Sequence, residues 1–244
     1  MIISIANNKG GVSKTTIAQA IANGLNDAGL KVLAVDLDPQ GNLSYSMGAE
    51  EVENTVFDLF NGTPASECIT ETAQTAIIAS NSDLSSVSID APQTLENLLE
   101  SVIETYDCIV IDTAPNLDML SINALTASDY VIVPATADTF ALQGLSQFAE
   151  SVISIRNNYN PRLKIAGIVI TQYRGHTILN RQLGEALEDV AEYLDTKVFN
   201  SRIRQAIAIS EAQTMQVSIF DYQTQSKVVD DLSELIKEVI EVIS

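Results

Sequence analysis

The sequence feature that most restricts the fold is an apolar segment followed directly by a glycine-rich turn and a helical pattern. Residues 2–6 have the length and composition of a buried strand. Residues 17–25 carry apolar side chains at helical spacing. A turn in this context aims successive backbone N–H groups and a helix N-terminus at one point, which suits an anion. The segment therefore predicts a phosphate-binding loop, formed by Lys9, Gly10, Gly11, Val12, Ser13, Lys14, Thr15 and Thr16.

Two side chains of this loop have predicted roles. Lys14 would place its ammonium on the β- and γ-phosphates of a nucleotide, and the Thr15 hydroxyl would face Mg²⁺. The ordinary phosphate-loop pattern has glycine where this chain has Asn8 and Ser13. Ser13 is the more demanding departure, because only glycine adopts a positive φ without cost. The alternative is a glycine-rich turn whose lysines are incidental.

Two further buried strands are predicted to end in aspartates. Residues 31–35 lead into Asp36 and Asp38 within a turn that contains proline and glycine, and residues 108–111 lead into Asp112. In a parallel α/β sheet, ligands bind beyond the carboxyl ends of the strands. Carboxylates placed there suit Mg²⁺ and an attacking water, and Asp112 would hold Mg²⁺ through a water. The alternative for the first pair is a simple turn with two capping aspartates.

The loop and these aspartates carry a family resemblance. Residues 9–16 (KGGVSKTT) and 36–42 (DLDPQGN) resemble the first two boxes of the ParA/MinD family of ATPases, which have a deviant Walker A motif. The strand that ends in Asp112 is similar to the family's Walker B strand. Residues 208–212 and 218–222 are similar to its closing boxes. The resemblance thus extends over nearly the whole chain.

This resemblance implies roles for the site residues. It implies an ATPase that uses ATP and Mg²⁺, with Lys9, Lys14 and Asp38 as catalytic residues. In the family the early lysine, here Lys9, reaches across a nucleotide-sandwiched dimer to the partner's phosphates. The second aspartate, here Asp38, positions or activates the attacking water. The implied metal-binding residues are Thr15, Asp36 and Asp112.

Strands and helices alternate from one end of the sequence to the other. This alternation predicts an α/β fold with a doubly wound, mostly parallel sheet and helices on both faces. We expect residues 1–244 to form a single ParA-like ATPase domain with no N-terminal helix-turn-helix extension. Residues 43–92 are less informative: a short helix is predicted at 55–60 and a strand at 76–79, with loops around them. Residues 198–199 are predicted as the last short strand.

The charge of the chain is distributed unevenly. A net charge of −19 argues against binding to nucleic acid. However, residues 32–151 contain 19 acidic residues and no lysine or arginine, whereas residues 156–204 contain eight basic and five acidic residues. The basic side chains would form one DNA-binding face, and the alternative is a set of ordinary solvated helix charges. The DNA-binding candidates are Arg174, Arg181, Arg202 and Arg204. The lone histidine, His176, has no motif partner and is expected on a surface loop.

The family resemblance also implies partners and a location. It implies an ATP-dependent homodimer in the cytoplasm that binds non-specific DNA of the nucleoid and avoids membranes. A ParB-like or other adaptor protein would stimulate hydrolysis, and the cargo would be a plasmid or chromosome. A positioning ATPase for a protein cargo, such as carboxysomes or chemoreceptor clusters, is an alternative.

Other members of the superfamily fit the sequence less well. A MinD-like membrane-associated ATPase ends in a basic amphipathic helix, whereas the charged residues of 228–243 are five acidic residues and one lysine. An electron-donating reductase would need cluster-binding cysteines, which Cys68 and Cys108 do not supply. An amidating ligase would normally carry an additional glutaminase-like domain, for which the chain has no room.

Overall fold

The computed structural model describes residues 1–136, 141–175 and 178–244; for 141–143 and 178–185 the description is of the backbone. His176, expected on a surface loop, lies outside the described residues. The strands are β1 (Ile2–Ile5), β2 (Val32–Leu37), β3 (Ile69–Thr70), β4 (Ala76–Ile78), β5 (Cys108–Thr113), β6 (Tyr130–Thr136), β7 (Lys164–Tyr173) and β8 (Val198–Arg204). The helices are α1 (Lys14–Asp27), α2 (Asn42–Ser46), α3 (Val56–Phe60), α4 (Ala65–Cys68), α5 (Thr94–Ile103), α6 (Met119–Ala127), α7 (Ala141–Asn158), α8 (Ile178–Tyr193), α9 (Ile207–Thr214), α10 (Ile219–Tyr222) and α11 (Lys227–Ile243).

The strands of the described residues form one sheet in the order β3-β4-β2-β5-β1-β6-β7-β8. All neighbouring pairs run parallel except β3 and β4. Strands β1, β2 and β5 are buried along their whole length, as expected for central strands covered on both faces. The predicted doubly wound, mostly parallel α/β fold is confirmed.

Helices pack on both faces of this sheet. On one face, Ile17 of α1 and Leu232 of α11 join the core that contains the β1 residue Ile3. These two helices approach so closely that any side chain at Gly24 would collide with Ile236. The other face is covered by α3, α5 and α6 over β2 and β5, and by α7 over β6. The carboxyl edge of the sheet, where the predicted boxes lie, is thereby left open between the two helical layers.

Two regions differ from the sequence-based expectation. Residues 64–75 were expected to be a loop but contain α4 and β3, and residues 82–86 form a short 3₁₀ helix. Strand β3 is held by its antiparallel pairing with β4, which is a tertiary contact that local composition does not reveal. The last strand, predicted at residues 198–199, begins at Val198 as expected but ends later, because β8 continues to Arg204 through polar residues that mask its strand pattern.

Strand β8 is an edge strand with an irregular pairing. Ile168 of β7 lies opposite Val198, and Ile170 lies opposite Arg202, so β8 contains two more residues than β7 over this interval. The backbone N–H groups of Asn200 and Ser201 donate to the Glu238 carboxylate, at 2.9 and 2.8 Å. Helix α11 therefore supplies hydrogen-bond acceptors to this edge.

The apolar side of α11 is buried against the sheet and α1, through residues that include Val228, Leu232, Leu235 and Val239. Among the described residues, no helix combines the length and apolar character required to span a membrane.

Candidate functional site

The three predicted boxes meet at one level of the sheet. Strand β5 lies between β1 and β2, and its residue Asp112 is the register partner of Ile5 on one side and of Asp36 on the other. The loop of residues 9–16 follows β1 directly, and Asp38 follows β2. The parallel register alone therefore brings Lys14, Asp36, Asp38 and Asp112 to one end of the molecule.

The loop has the left-handed turns that a phosphate cradle requires. Gly11 has a φ of 71° and Ser13 a φ of 67°. Ser13 immediately precedes α1, and its side chain makes no cap hydrogen bond to that helix. The N–H groups of the first turn of α1 therefore face the open edge of the sheet, where an anion would accept them.

Lys14 is held inside the cradle. Its side chain is buried, and its ammonium donates to the Lys9 carbonyl at 3.2 Å. Burial lowers the pKa of Lys14, and the carboxylates of Asp112 and Asp38 oppose that effect. The Lys9 ammonium donates to the Thr136 hydroxyl at 3.2 Å. The two lysines thus belong to one site, and both side chains have partners within this chain.

Asp112 is the strongest indication of a cation site. It is fully buried, and neither of its carboxylate oxygens makes a hydrogen bond within normal geometry to any described residue. Burial and then Asp36 raise the pKa of Asp112 well above its usual value, although the Thr15 hydroxyl and the Lys14 ammonium lie near enough to oppose the shift. Buried carboxylates without hydrogen bonds are costly unless a cation offsets their charge, so the residues present fit Mg²⁺.

Asp36, unlike Asp112, accepts hydrogen bonds through both of its carboxylate oxygens. One of its oxygens accepts the Asp38 N–H at 3.0 Å, and the other accepts the N–H and hydroxyl of Ser44 at 2.9 and 2.7 Å. Burial raises the pKa of Asp36 to about 6 although these hydrogen bonds lower it. Asp36 therefore fixes the turn after β2, and any contact of Asp36 with Mg²⁺ would be added to these bonds.

Asp38 itself is positioned by that turn. Its carboxylate accepts the Gln40 N–H at 3.0 Å, and its side chain is largely buried. Among the described residues, no group of three or more histidine, cysteine or acidic side chains has the arrangement of a metal site. A site with few protein ligands is typical of Mg²⁺ shared with nucleotide phosphates.

Among the side chains that the structure describes, the basic residues of 156–204 lie at two ends of the sheet rather than on one face. Arg204 forms an ion pair with Asp231, with nitrogen–oxygen distances of 2.6 and 2.7 Å. The Arg202 guanidinium lies over the Tyr173 ring at 5.4 Å, and Arg174 donates to Gln205 at 2.8 Å. These three arginines lie near the carboxyl end of β7 and β8. The side chain of Arg181 lies outside the described residues.

Other basic residues lie at the opposite end of the sheet. Lys164 begins β7 and lies over Tyr130, which begins β6. Arg162 pairs with Glu96 at 3.2 Å, and Arg156 donates to the Leu163 carbonyl at 2.7 Å. Acidic side chains also line the cleft of Arg202 and Arg204, namely Asp230, Asp231 and Glu234. The basic segment therefore divides into two groups, and only one lies near the candidate site.

Three site residues were not found from the sequence. Asn7 accepts the Lys9 N–H at 3.0 Å, and the Thr171 hydroxyl donates to the Val12 carbonyl at 3.0 Å. The Gln172 amide donates to the Gly11 carbonyl at 2.6 Å. The available signal was a pair of polar residues, Thr171 and Gln172, at the carboxyl end of an apolar strand.

Comparisons with known proteins agree with this geometry. A family model described as an AAA domain matches residues 1–165. The chain is 34% identical over 252 residues to the chromosome partitioning protein ParA of Caulobacter vibrioides, covering 98% of this chain and 93% of the relative. It is 35% identical over 249 residues to the sporulation initiation inhibitor protein Soj of Bacillus subtilis, covering 98% and 97%.

A solved structure described as cobyrinic acid a,c-diamide synthase from Mycobacterium smegmatis, with bound ATP analogue and magnesium, is 28% identical. Its TM-score is 0.84, and the match covers 98% of this chain and 94% of that chain. A protein described as a diamide synthase thus has about the same length as this chain, so the argument from length against an amidating ligase does not hold. The higher identities over nearly full length are to partitioning ATPases. The chain is therefore an ATPase that belongs to the ParA and Soj family of partitioning proteins, within the wider ParA/MinD group.

Proposed function

We propose that this protein is an ATP-dependent dimerising switch that segregates or positions a cargo. The observation that carries the proposal is the placement of Lys14 beside the unbonded, buried carboxylate of Asp112, with Asp38 at the same edge. A lysine and a cation-requiring carboxylate at the end of a phosphate-binding loop form a site for Mg²⁺-ATP. In the proposed cycle, ATP closes a homodimer, and a ParB-like or other adaptor stimulates hydrolysis that reopens it.

The residues have distinct roles in this proposal. The N–H groups of residues 10–16 bind phosphate oxygens, and Lys14 neutralises the charge that develops on them. Thr15 and Asp112 would hold Mg²⁺, with Asp36 nearby, and the cation would supply further neutralisation at the phosphates. Asp38 accepts a hydrogen bond from the attacking water and orients it.

Dimerisation requires Lys9 to change partners. In the single chain its ammonium donates to Thr136. On closure, the Lys9 ammonium would leave its partners within this chain and bind the phosphates of the nucleotide in the other subunit. Phosphate offers Lys9 a charge-assisted hydrogen bond that an empty site lacks, so ATP rather than an empty site favours the closed dimer.

Non-specific DNA is the proposed matrix, and the protein would thus be cytoplasmic and nucleoid-associated. Arg174 and Arg202 are the favoured contacts, because Arg204 is already neutralised by Asp231. Membrane association is disfavoured because the apolar side of α11 is buried. A protein-cargo positioning ATPase with a protein surface as matrix is the second candidate. It is favoured by the acidic side chains around Arg202 and Arg204.

The deciding experiment measures retention of the protein on a random-sequence DNA duplex at moderate salt. Parallel samples contain no nucleotide, ADP with Mg²⁺, or ATP with Mg²⁺. The proposal expects retention with ATP alone, together with a change from monomer to dimer in light scattering. Absence of DNA retention from an ATP-dependent dimer with intact ATPase activity would favour the protein-surface alternative.

A further inference from the structure

The carboxyl end of β7 holds the phosphate-binding loop from the side. The Gln172 side-chain amide donates to the Gly11 carbonyl at 2.6 Å and to the Ser13 hydroxyl at 3.3 Å. The neighbouring Thr171 hydroxyl donates to the Val12 carbonyl at 3.0 Å. Two adjacent residues of β7 therefore contact three consecutive residues of the loop, although 159 to 161 sequence positions separate the partners.

These contacts determine the direction of the loop N–H groups. In a trans peptide unit the C=O and the following N–H point in opposite directions. Because the Gly11 and Val12 carbonyls face β7, the N–H groups of Val12 and Ser13 point away from β7. In the sheet, β5 and its Asp112 lie on the other side of β1 from β7. The N–H groups are thus directed toward the side of the loop where the candidate Mg²⁺-ATP site lies.

The backbone at both ends of this contact is unusual for the residues involved. Ser13 has a φ of 67° and Gln172 a φ of 53°, so both adopt the left-handed conformation that favours glycine. Such residues persist where surrounding contacts over-determine them, and they concentrate at ligand sites. Here each of the two side chains is a partner of the other. The loop conformation at Ser13 is consequently supported by a residue outside the loop.

From this geometry we propose that Gln172 is a positioning residue for nucleotide binding. Its amide keeps the Gly11 carbonyl turned outward, so that the loop N–H groups are oriented before phosphate arrives. Binding then requires less reordering of the loop. The inference rests on the proposed function, since it assumes that residues 9–16 bind the phosphates. It adds a residue of β7 that touches no reacting atom and acts through the loop.

The test compares Gln172→Gly with a matched control, Gln216→Gly. Gln216 is also a left-handed glutamine, with a φ of 58°, and its amide donates to Glu50, which lies outside the phosphate-binding loop. Both substitutions remove the same side chain and relieve the same backbone cost. Calorimetry would measure the Kd for ADP, and steady-state kinetics the KM and kcat for ATP. Lys14→Ala is included as a variant expected to lose nucleotide binding.

We expect Gln172→Gly to weaken ADP binding roughly fivefold to tenfold, which is the range for removal of one or two hydrogen bonds. The KM for ATP should rise by a similar factor while kcat stays near the native value, because loop orientation serves the ground state and transition state alike. Gln216→Gly should bind as the native protein does. Gln172→Glu has the same length but cannot donate at neutral pH, so it should also weaken binding, and it provides a second test if Gln172→Gly folds poorly.

Native ADP affinity in both Gln172 variants, with binding abolished in Lys14→Ala, would overturn the positioning role and leave the proposed function intact. A lower kcat with unchanged KM would also overturn it, since that pattern indicates a smaller fraction of folded enzyme. Native affinity in Lys14→Ala would instead contradict the proposed nucleotide site itself.

Discussion

Asp36 and Asp112 are register partners on the neighbouring parallel strands β2 and β5, and both carboxyl groups are completely buried. Three hydrogen bonds, one from Asp38 and two from Ser44 of α2, satisfy Asp36, whereas no described residue makes a hydrogen bond of normal geometry to Asp112. Burial raises the pKa of each; the charge of Asp36 adds to the shift of Asp112, and that of Asp38 adds to the shift of Asp36. The Lys14 ammonium compensates the charge of Asp112 only in part, so the pair favours a bound cation.

We expect Asp112→Asn to raise the free energy of unfolding of the nucleotide-free protein by about 1–3 kcal/mol at neutral pH, because it removes a buried charge that Lys14 compensates only in part. The raised pKa of Asp112 determines whether this gain in stability grows or shrinks with pH. A carboxyl group with a raised folded pKa contributes stability below its unfolded value, and that stability is lost as the pH rises through the folded value. The gain should therefore grow as the pH rises above about 4, which urea unfolding at several pH values would measure.

Asp90→Asn removes an exposed carboxylate and is the control, with an expected change below about 0.5 kcal/mol. In the presence of Mg²⁺-ATP the native protein should be more stable than Asp112→Asn, because the asparagine no longer helps to hold the cation. A neutral-pH loss of stability in nucleotide-free Asp112→Asn would contradict the account of this carboxylate pair.

Lys14→Ala should weaken binding of Mg²⁺-ATP by about 100-fold or more. The reason is that Lys14 is a buried cation facing the place of the phosphates, and truncating such a group leaves the opposing charges uncompensated. A fluorescent ATP analogue would report the affinity. Lys227→Ala removes an exposed lysine at the start of α11 and should leave the affinity unchanged. Retention of native affinity by Lys14→Ala would exclude the loop as the nucleotide site.

Asp38→Asn should separate nucleotide binding from hydrolysis. The amide oxygen can still accept the Gln40 N–H, so the turn after β2 should persist. An amide is a much weaker base than a carboxylate, and hydrolysis should fall by roughly 10²- to 10⁴-fold. Phosphate release and light scattering, measured on the same sample, should show an ATP-dependent dimer that hardly turns over. An Asp38→Asn protein with native turnover would mean that another group orients the water.

If DNA binding is electrostatic, Arg202→Ala should weaken it across all sequences. The slope of log affinity against log salt should become shallower by roughly 0.9 for each phosphate that the variant no longer neutralises. Arg162→Ala is the matched control, since Arg162 lies at the opposite end of the sheet and pairs with Glu96. An equal effect of both substitutions would show that the charge of the whole protein, rather than the carboxyl-edge arginines, controls the affinity.

Glu238→Gln should lower the free energy of unfolding by about 1 kcal/mol at neutral pH, a modest value because Glu238 is partly solvated. Burial raises the pKa of Glu238, but the hydrogen bonds from Asn200 and Ser201 together lower it by more. The pKa of Glu238 therefore lies below its usual value. A depressed acid pKa contributes stability above the unfolded value, about 4.3, and that stability is lost as the pH falls through the folded value.

Chemical unfolding at neutral and acidic pH would measure this difference. The native protein and Glu238→Gln should converge in stability toward the acidic end. A gap that persisted after Glu238 became protonated would assign the effect to packing rather than to charge-assisted hydrogen bonds.

The sequence was sufficient for the fold and for the placement of the boxes, because both depend on local patterns. A strand, a glycine-rich loop and a helix around Lys14, with aspartates at the ends of two other apolar strands, fix which edge of a parallel sheet carries them. The contact of Gln172 with Gly11 could not be predicted, since it depends on which strand lies two positions from β1. The pairing of Arg204 with Asp231 depends on an irregular β8 register that has no sequence signature.

The carboxylates of α11 also have a consequence for how these molecules behave when crowded. An edge strand normally offers unpaired N–H groups to strands of other molecules. Along β8, Asn200 and Ser201 donate to Glu238, and the Arg204 N–H donates to Asp231 at 3.1 Å. An incoming strand would have to displace two anions, and its own carbonyl oxygens would be repelled by them. Fibril growth by strand addition at β8 is thus opposed by charge, which protects the native protein from aggregation at high local concentration.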